Sequence, residues 1–431
     1  MRAITRPNRS PSTEEILKAL LASDLSFKAA PIPSGPHNTH PFAAKFPPEL
    51  PRLFIETLTR PGEVVLDPMS GSGTTALEAI SAGRIGIGVD MEPLATRLSA
   101  YKLKRFNLDL LRSGMGHVVN RAYVVERDSS FDHVVFLEKR YPKEILDFFH
   151  YWFREETRRQ LAILIKEIDT IDDPDLRSFL EIVFSSTIIA KTGGVSLARD
   201  LAHSRPHRDE TKKVKNAFTL FWEKGQKAIV AQADKVTSST GAVIRGDARA
   251  LPLASESIDL IVTSPPYANA IDYVRAHKFS LYWLGVGFQE MAALRRRYIG
   301  AEVSLALEGL PYPTAARSVG AVAEKDRKKA EVLFRYFRDM EGVFREMARV
   351  LKPSRAAVVV VGSSTMRGID VLTHEALAEI GQGVGLLFAG MKPREINRDR
   401  RLMPFSRKSN GTGIEARMHQ EFVILFLKPG H

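Results

Sequence analysis

The chain has 431 residues, with 62 Lys and Arg against 50 Asp and Glu, and no cysteine. A formal charge of +12 points to a polyanionic partner, nucleic acid first. The missing thiols exclude disulfides, Cys-ligated metal and a thiol nucleophile, and with the last any cysteine-adduct chemistry such as methylation of cytosine at ring carbon 5. No apolar run approaches the roughly 18–20 residues of a membrane span. The polar start MRAITRPNRSPSTEE lacks the apolar core of a signal peptide, so a cytoplasmic protein is expected. One core seldom grows past roughly 250–300 residues, which predicts a catalytic core plus an insertion or second domain.

Residues 1–36 are rich in Pro, Ser and Arg and read as a flexible arm, interrupted by a short capped helix at Ser12-Thr13-Glu14-Glu15. Helical spacing of Leu50, Leu53, Phe54 and Leu58 follows, closed by Pro61-Gly62. Glu63 to Asp67 reads as a buried strand, Gly71-Ser72-Gly73 as a turn, Thr74 to Ala82 as a helix and Ile85 to Asp90 as a second strand. This β-loop-α-β unit opens a parallel sheet covered by helices. Residues 141–192 are strongly helical with a break at Asp173-Pro174, and 193–240 are basic and polar. The sheet pattern returns at Val243-Ile244, Ile258 to Val262, Ala356 to Val361 and Phe422 to Leu427. Residues 101–240 therefore read as a helical insertion between the halves of one α/β domain, 37–100 and 241–431.

Gly71-Ser72-Gly73-Thr74-Thr75-Ala76 fits G-x-G-x-x-A, and Asp90 closes the next strand. Glycines let backbone approach a ligand, the helix start offers free N–H groups, and a carboxylate can take ribose hydroxyls. No lysine follows the glycines, so a P-loop is excluded. A nicotinamide, a flavin, S-adenosylmethionine or a ligand-free turn all fit this motif by itself. Asp67-Pro68 ahead of the glycines favours a ligand carrying an ammonium group.

Thr263-Ser264-Pro265-Pro266-Tyr267 directly follows the apolar strand Ile258 to Val262. Two prolines at a strand's carboxyl end force an extended loop and remove two donors, leaving carbonyls free to accept. Ligands of open α/β sheets bind outside those strand ends. An exocyclic base amine is a poor nucleophile because its lone pair is delocalised into the ring. If Ser264 and the Pro265 carbonyl each accepted an amine hydrogen, the nitrogen would move toward tetrahedral geometry with its lone pair facing a methyl donor. Tyr267 would stack on a base swung out of the helix.

On these residues the chain resembles the amino-group DNA methyltransferases. Asp67-Pro68-Met69-Ser70-Gly71-Ser72-Gly73-Thr74-Thr75 is similar to their D-P-F-x-G-S-G-T-T motif, with Met69 in place of Phe. Ser264-Pro265-Pro266-Tyr267 resembles their catalytic motif in the form associated chiefly with cytosine-N4 enzymes; adenine-N6 enzymes more often carry Asp first. His40-Pro41-Phe42-Ala43-Ala44-Lys45-Phe46-Pro47 and Gly246-Asp247-Ala248 are similar to two further motifs of the family.

The resemblance implies a Rossmann-like, doubly wound mixed sheet, S-adenosylmethionine as cofactor with no metal, and double-stranded DNA as partner. It places Phe46, Asp67, Pro68, Gly71, Gly73 and Thr74 around the methionine end, Asp90 on ribose and Asp247 on adenine. Ser264, Pro265, Pro266 and Tyr267 would hold the target amine. Cytosine N4 is the expected target, with adenine N6 and then RNA guanine N2 as rivals. No nuclease motif is evident, so a cognate restriction endonuclease would be another chain.

The order departs from the family's usual one for this motif form, because the cofactor half precedes the catalytic motif. That leaves the target-recognition region open between 101–240 and 285–335. Three basic clusters are candidates for DNA contact: Ser204 to Lys215 with Arg205 and Arg208, Leu294 to Tyr298 with Arg295 and Arg296, and 392–408 with Arg398, Arg400 and Arg401. His277 reads either as a pocket residue or as a helix-surface histidine.

Overall fold

The computed structural model describes residues 12–27, 35–42, 45, 47–128, 130–190, 193–199, 206–235, 239–268, 273–301, 307, 309–396 and 420–430. Helix α1 (Thr13–Ala22) starts at a capping box in which Ser12 and Glu15 satisfy each other's backbone N–H groups. Its Leu17 and Leu20, and Leu25 beyond it, are buried. Residues 12–27 thus correct the expectation of a flexible arm over 1–36: apolar residues at helical spacing dock this segment on the sheet. Residues 1–11 and 28–34 lie outside the described residues.

After α2 (Glu49–Leu58) the chain forms β1 (Val64–Asp67), α3 (Thr74–Ser81), β2 (Ile85–Asp90) and α4 (Pro93–Leu103). It then runs through α5 (Leu108–Arg127), α6 (His133–Arg140), α7 (Lys143–Trp152), α8 (Glu155–Asp169) and α9 (Pro174–Ile188). A small ladder of β3 (Ala198–Arg199) and β4 (His207–Arg208) precedes α10 (Ala217–Ala233). Next come β5 (Gly241–Arg245), β6 (Ile258–Thr263), α11 (Tyr273–Leu281), α12 (Phe288–Arg297), α13 (Pro313–Ala323) and α14 (Arg327–Val350). The chain closes with β7 (Leu351–Gly362), the hairpin β8 (Thr365–Met366) and β9 (Ile369–Asp370), α15 (Thr373–Gly383), β10 (Leu387–Glu395) and β11 (Gln420–Leu427).

The main sheet has the order β10-β11-β7-β6-β1-β2-β5. Strands β5, β2, β1, β6 and β7 pair in parallel, whereas β11 runs antiparallel to both β7 and β10. This is the expected Rossmann-like, doubly wound mixed α/β sheet. Side-chain alternation along the strands supplies two cores, as a period of two requires. Val65, Val262, Val358 and Val360 face α1 and α2, while Leu66, Ile261, Val359 and Val361 face α13, α14 and α15. The switch in strand order lies between β1 and β6, where a crevice opens at the strand ends.

A third core is almost wholly helical. It joins Leu94 and Leu98 of α4 to residues of α5–α10 and to Phe279, Trp283, Met291 and Leu294 around α11 and α12. Trp283 stacks on Phe149 with ring centroids 4.0 Å apart, and Tyr141 donates to the Trp283 carbonyl at 2.6 Å. Helices on both sides of the Ser264–Tyr267 loop thus share one hydrophobic interior. Helices α10 and α14 and strand β10 are among the elements not read from sequence. Helix α10, capped by Asn216, lies within the stretch read as basic and polar, and β10 occupies part of the third basic cluster.

Candidate active site at the carboxyl ends of β1, β2 and β6

Strand β1 ends at Asp67, which is buried. Its Oδ1 accepts from the Thr263 hydroxyl at 2.7 Å and from the Met69 N–H at 3.2 Å. Thr263 closes β6, so one hydrogen bond ties the acid of the glycine motif to the residue preceding Ser264. Burial pushes the Asp67 carboxyl up to about 6, against the pull of its hydrogen-bond donors.

The chain then turns into α3 through Gly71 and Gly73, both with positive φ. A Cβ on Gly73 would lie 2.9 Å from the Ser99 Cα, so glycine is required there for space as well as for φ. The Gly71 N–H donates to Asp90 Oδ2 at 2.8 Å, and the Glu92 N–H donates to Asp90 Oδ1 at 2.9 Å. Burial pushes Asp90 up to about 7, with repulsion from the Glu92 and Asp67 carboxylates adding to it. Glu92 caps α4 by accepting from the Ala95 N–H at 2.6 Å and sits 3.3 Å from His277 Nδ1.

Asp247 follows β5 and is held by Arg249, whose Nε and Nη2 donate to its two oxygens at 2.9 and 2.8 Å. Burial acts to raise its pKa, but these bonds prevail and hold it below the usual carboxylate range. Arg249 also donates to Asp339 and to the Arg297 carbonyl, which fixes the end of α12 over the same crevice.

Asp67, Pro68, Gly71, Thr74, Asp90, Asp247, Ser264 and Pro266 all line one cleft. The space within it, open solvent at its mouth included, is about 1040 Å³. Gly73 packs against Ser99 instead of lining the cleft. Pro265 is buried behind the cleft, and Tyr267 is 8% exposed with its hydroxyl donating to Glu421 Oε1 at 2.5 Å.

His277 is buried between Glu92 and Phe42, whose ring centroid is 5.1 Å away, and is not a surface residue. The buried His40 donates from Nδ1 to the Pro41 carbonyl at 2.7 Å and accepts at Nε2 from Ser185 at 2.8 Å. Burial pushes it down to about 3, so it serves as a neutral link between the cleft and α9.

Among the DNA-contact candidates, Arg208 is exposed, lies over the Tyr151 ring and pairs with Glu210. Arg295 and Arg296 are exposed on the last turn of α12. Lys392 and Arg394, read as part of the third basic cluster, are instead β10 residues bound to the Ser23 and Leu25 carbonyls. Phe46, Arg205, Arg398, Arg400 and Arg401 lie outside the described residues.

Phe42, Lys45, Glu92, Tyr298 and Ile299 also line the cleft and were not assigned from sequence. The first three sit in or beside motifs already quoted, and nothing local marks the last two. The wall so built carries the carboxylates of Asp67, Asp90, Glu92 and Asp247 beside the helix start at Thr74. It suits a cationic ligand bearing hydroxyl and carboxylate groups.

Known proteins match this chain in the same terms. A family model described as DNA methylase covers residues 9–100. The Type II methyltransferase M.MvaI of Kocuria varians is 23% identical over 371 residues, 80% of each chain. Type II methyltransferase M.BsoBI of Geobacillus stearothermophilus is 27% identical over 290 residues, 62% of this chain. The chain spans 56% of that relative's length. Type II methyltransferase M.BglI of Bacillus subtilis is 46% identical over 63 residues, 15% of this chain and 18% of that one. With its glycine turn, strand-end acids and Ser-Pro-Pro loop converging on one cleft, the chain is similar to DNA methylases over residues 9–100 and to Type II methyltransferases over a longer span.

Proposed function

We propose that this protein is an S-adenosylmethionine-dependent DNA methyltransferase whose target is the exocyclic N4 amine of cytosine. The observation that carries the reading is the 2.7 Å bond between Thr263 and Asp67, which sets the Ser264 loop and the glycine turn on one cleft. The serine that opens the Pro-Pro-Tyr loop favours cytosine over adenine.

The residues present fit the cofactor. Bound S-adenosylmethionine supplies an electrophilic methyl on a sulfonium, and it carries an ammonium group as well. Two buried carboxyls with raised pKa, Asp67 and Asp90, gain most from such a cation, because it offsets the burial that disfavours their charge. Asp67 would hold the ammonium, Asp90 the ribose, and Asp247 the adenine amine through the oxygen that also accepts from Arg249 Nη2. The free N–H groups at the start of α3 suit the carboxylate.

Ser264 is half-buried on the cleft wall. Its hydroxyl and the Pro265 carbonyl would accept the two amine hydrogens and turn the nitrogen lone pair outward. Neither proline offers an N–H that would compete for the lone pair.

DNA would lie across the helical body. We place the target-recognition region in 101–240, with the catalytic domain formed by 37–100 and 241–431. Exchanging 101–240 for that of a relative of different specificity should move the recognised sequence. Activity retained on the original site would assign recognition to 285–335.

The deciding experiment is digestion and mass spectrometry of duplex DNA methylated by the purified protein. N4-methylcytosine is expected, N6-methyladenine would replace the cytosine assignment, and neither would refute the activity. Asp90→Ala should weaken cofactor binding, by about 1.5–3 kcal/mol for a lost charged hydrogen bond, and leave DNA affinity unchanged. Unchanged cofactor affinity in calorimetry would remove Asp90 from the site.

A further inference from the structure

The Tyr267 hydroxyl is not free to turn. It donates to Glu421 Oε1 at 2.5 Å, at the start of β11. The other oxygen, Glu421 Oε2, pairs with Arg394 Nη1 across the β10–β11 ladder, where the two residues stand directly opposite. Arg394 in turn donates from Nε to the Leu25 carbonyl at 2.9 Å. Every member of this chain is enclosed: the Arg394 side chain is 4% exposed, that of Glu421 12%, and Leu25 is buried. The same backbone stretch receives Lys392 Nζ at the Ser23 carbonyl and the Glu395 N–H at the Ser26 hydroxyl.

A buried ion pair alone is weak evidence for a stabilising role, since desolvation offsets its attraction. This one does something more specific. It converts a rotatable phenol next to the Ser-Pro-Pro loop into a ring pinned at its far end. A tyrosine that merely filled the core would leave its hydroxyl to any acceptor. Here the acceptor is a carboxylate itself held by a buried guanidinium, and that guanidinium is anchored on the segment that follows α1.

We propose that Glu421 and Arg394 are positioning residues that fix the Tyr267 ring through its hydroxyl, with the residues 23–27 behind α1 as their anchor. The proposal rests on the functional reading above, together with the expectation from the sequence that this ring stacks on the target base. A base must find the ring already in place, so a ring free to swing lowers the transfer rate while cofactor affinity is unaffected.

The test is a cycle of Tyr267→Phe, Glu421→Gln and the double variant in the full-length protein, read by single-turnover methylation of duplex DNA. Each single variant should slow transfer by about tenfold, and the double should be no slower than the worse single, because residues acting as a unit are not additive. Cofactor affinity should stay within about twofold, as expected when only the reacting complex is disturbed. Multiplying effects in the double would show that Glu421 acts elsewhere and overturn the proposal. A wild-type rate for Tyr267→Phe overturns it as well, even if Glu421→Gln fails to fold.

Fluorine NMR of protein labelled with 3-fluorotyrosine keeps this separate from the functional reading. The Tyr267 resonance, assigned by its absence in Tyr267→Phe, should shift in Glu421→Gln. If the wild type methylates neither base, the functional reading fails while the spectrum still reports the tether. An unmoved resonance removes the tether itself.

Discussion

The sheet and the helical body are built on different terms. On the sheet, the candidate site residues Asp67, Asp90, Asp247 and Ser264 sit at a strand end or in the turn just beyond it, so backbone geometry sets their place. Asp67, Asp90 and Ser264 follow the carboxyl ends of β1, β2 and β6. In the helical body, side chains from α4 to α12 meet chiefly through packing, and elements distant in sequence share one interior. Side-chain contacts join the two bodies beside the cleft. His40 reaches Ser185 of α9, and His277 of α11 reaches Glu92. On the proposed function, the sheet body would hold the chemistry and the helical body would set what lies over it.

The comparison breaks hardest at Trp283. It is fully buried, stacked on Phe149 and edge-on to Phe153 and Phe184. Trp283→Ala should cost about 3–5 kcal/mol of stability, the range for a large aromatic removed from a core. If the bodies are separable, denaturation followed by two probes should show the helical body melting first, with cofactor binding retained in calorimetry. Parallel loss of cofactor binding would make them one cooperative unit.

A second break falls on the chemistry alone. Ser264→Ala should lower the single-turnover rate by roughly 10²-fold, about 2.7 kcal/mol, as for removal of a preorganised transition-state hydrogen bond. Cofactor and DNA affinities should hardly change. A wild-type rate would end the role given to Ser264.

The same contrast explains what could be read in the sequence. Strand ends and glycine turns are local, so Asp67, Gly71, Asp90 and the Ser-Pro-Pro loop were legible together with the sheet that carries them. Tyr298 and Ile299 were not, because they reach the cleft only through the clamp of Arg249 on the Arg297 carbonyl and of Asp339 on the Gly300 N–H. Strand β10 was masked by Pro393 and by cations that look solvated in sequence, yet Arg394 is buried on a carbonyl and a carboxylate. Residues 12–27 looked like an arm because the segment is short and flanked by Pro and Ser, and only a partner surface reveals its apolar stripe.

Asp67 offers a smaller test within the sheet body. Its pKa is near 6 when folded against 3.8 for the free group. The unfolded chain therefore releases this proton at lower pH than the folded one. The group's contribution to stability is greatest below about pH 4 and is lost as pH rises toward 6. Asp67→Asn keeps an acceptor for Thr263 and has no such slope. Without cofactor it should be more stable than the wild type at pH 7.5, by about 3 kcal/mol at one pKa unit per 1.36 kcal/mol. That gap should close by pH 4. Saturating S-adenosylmethionine should reverse the order at pH 7.5, since only the carboxylate gains an ammonium partner. An equal gap at both pH values in urea titrations would show that burial does not govern this group.

The smallest effect is expected where the two bodies meet solvent. Arg295 and Arg296 are exposed on the last turn of α12, and the chain passes from them into Tyr298 and Ile299 on the cleft wall. That places two cations near the cleft, where the proposed function would bring a duplex. Cations that bind phosphate carry no sequence information. Replacing both residues by alanine should therefore weaken cognate and unrelated duplexes by the same few-fold factor. The slope of log affinity against log salt should become shallower by about one for each phosphate-binding cation removed. Turnover at saturating DNA should stay at the wild-type value, because neither side chain lines the cleft. A loss confined to the cognate sequence would turn these arginines from phosphate clamps into base readers, and would move recognition from the insertion to the segment that begins at 285.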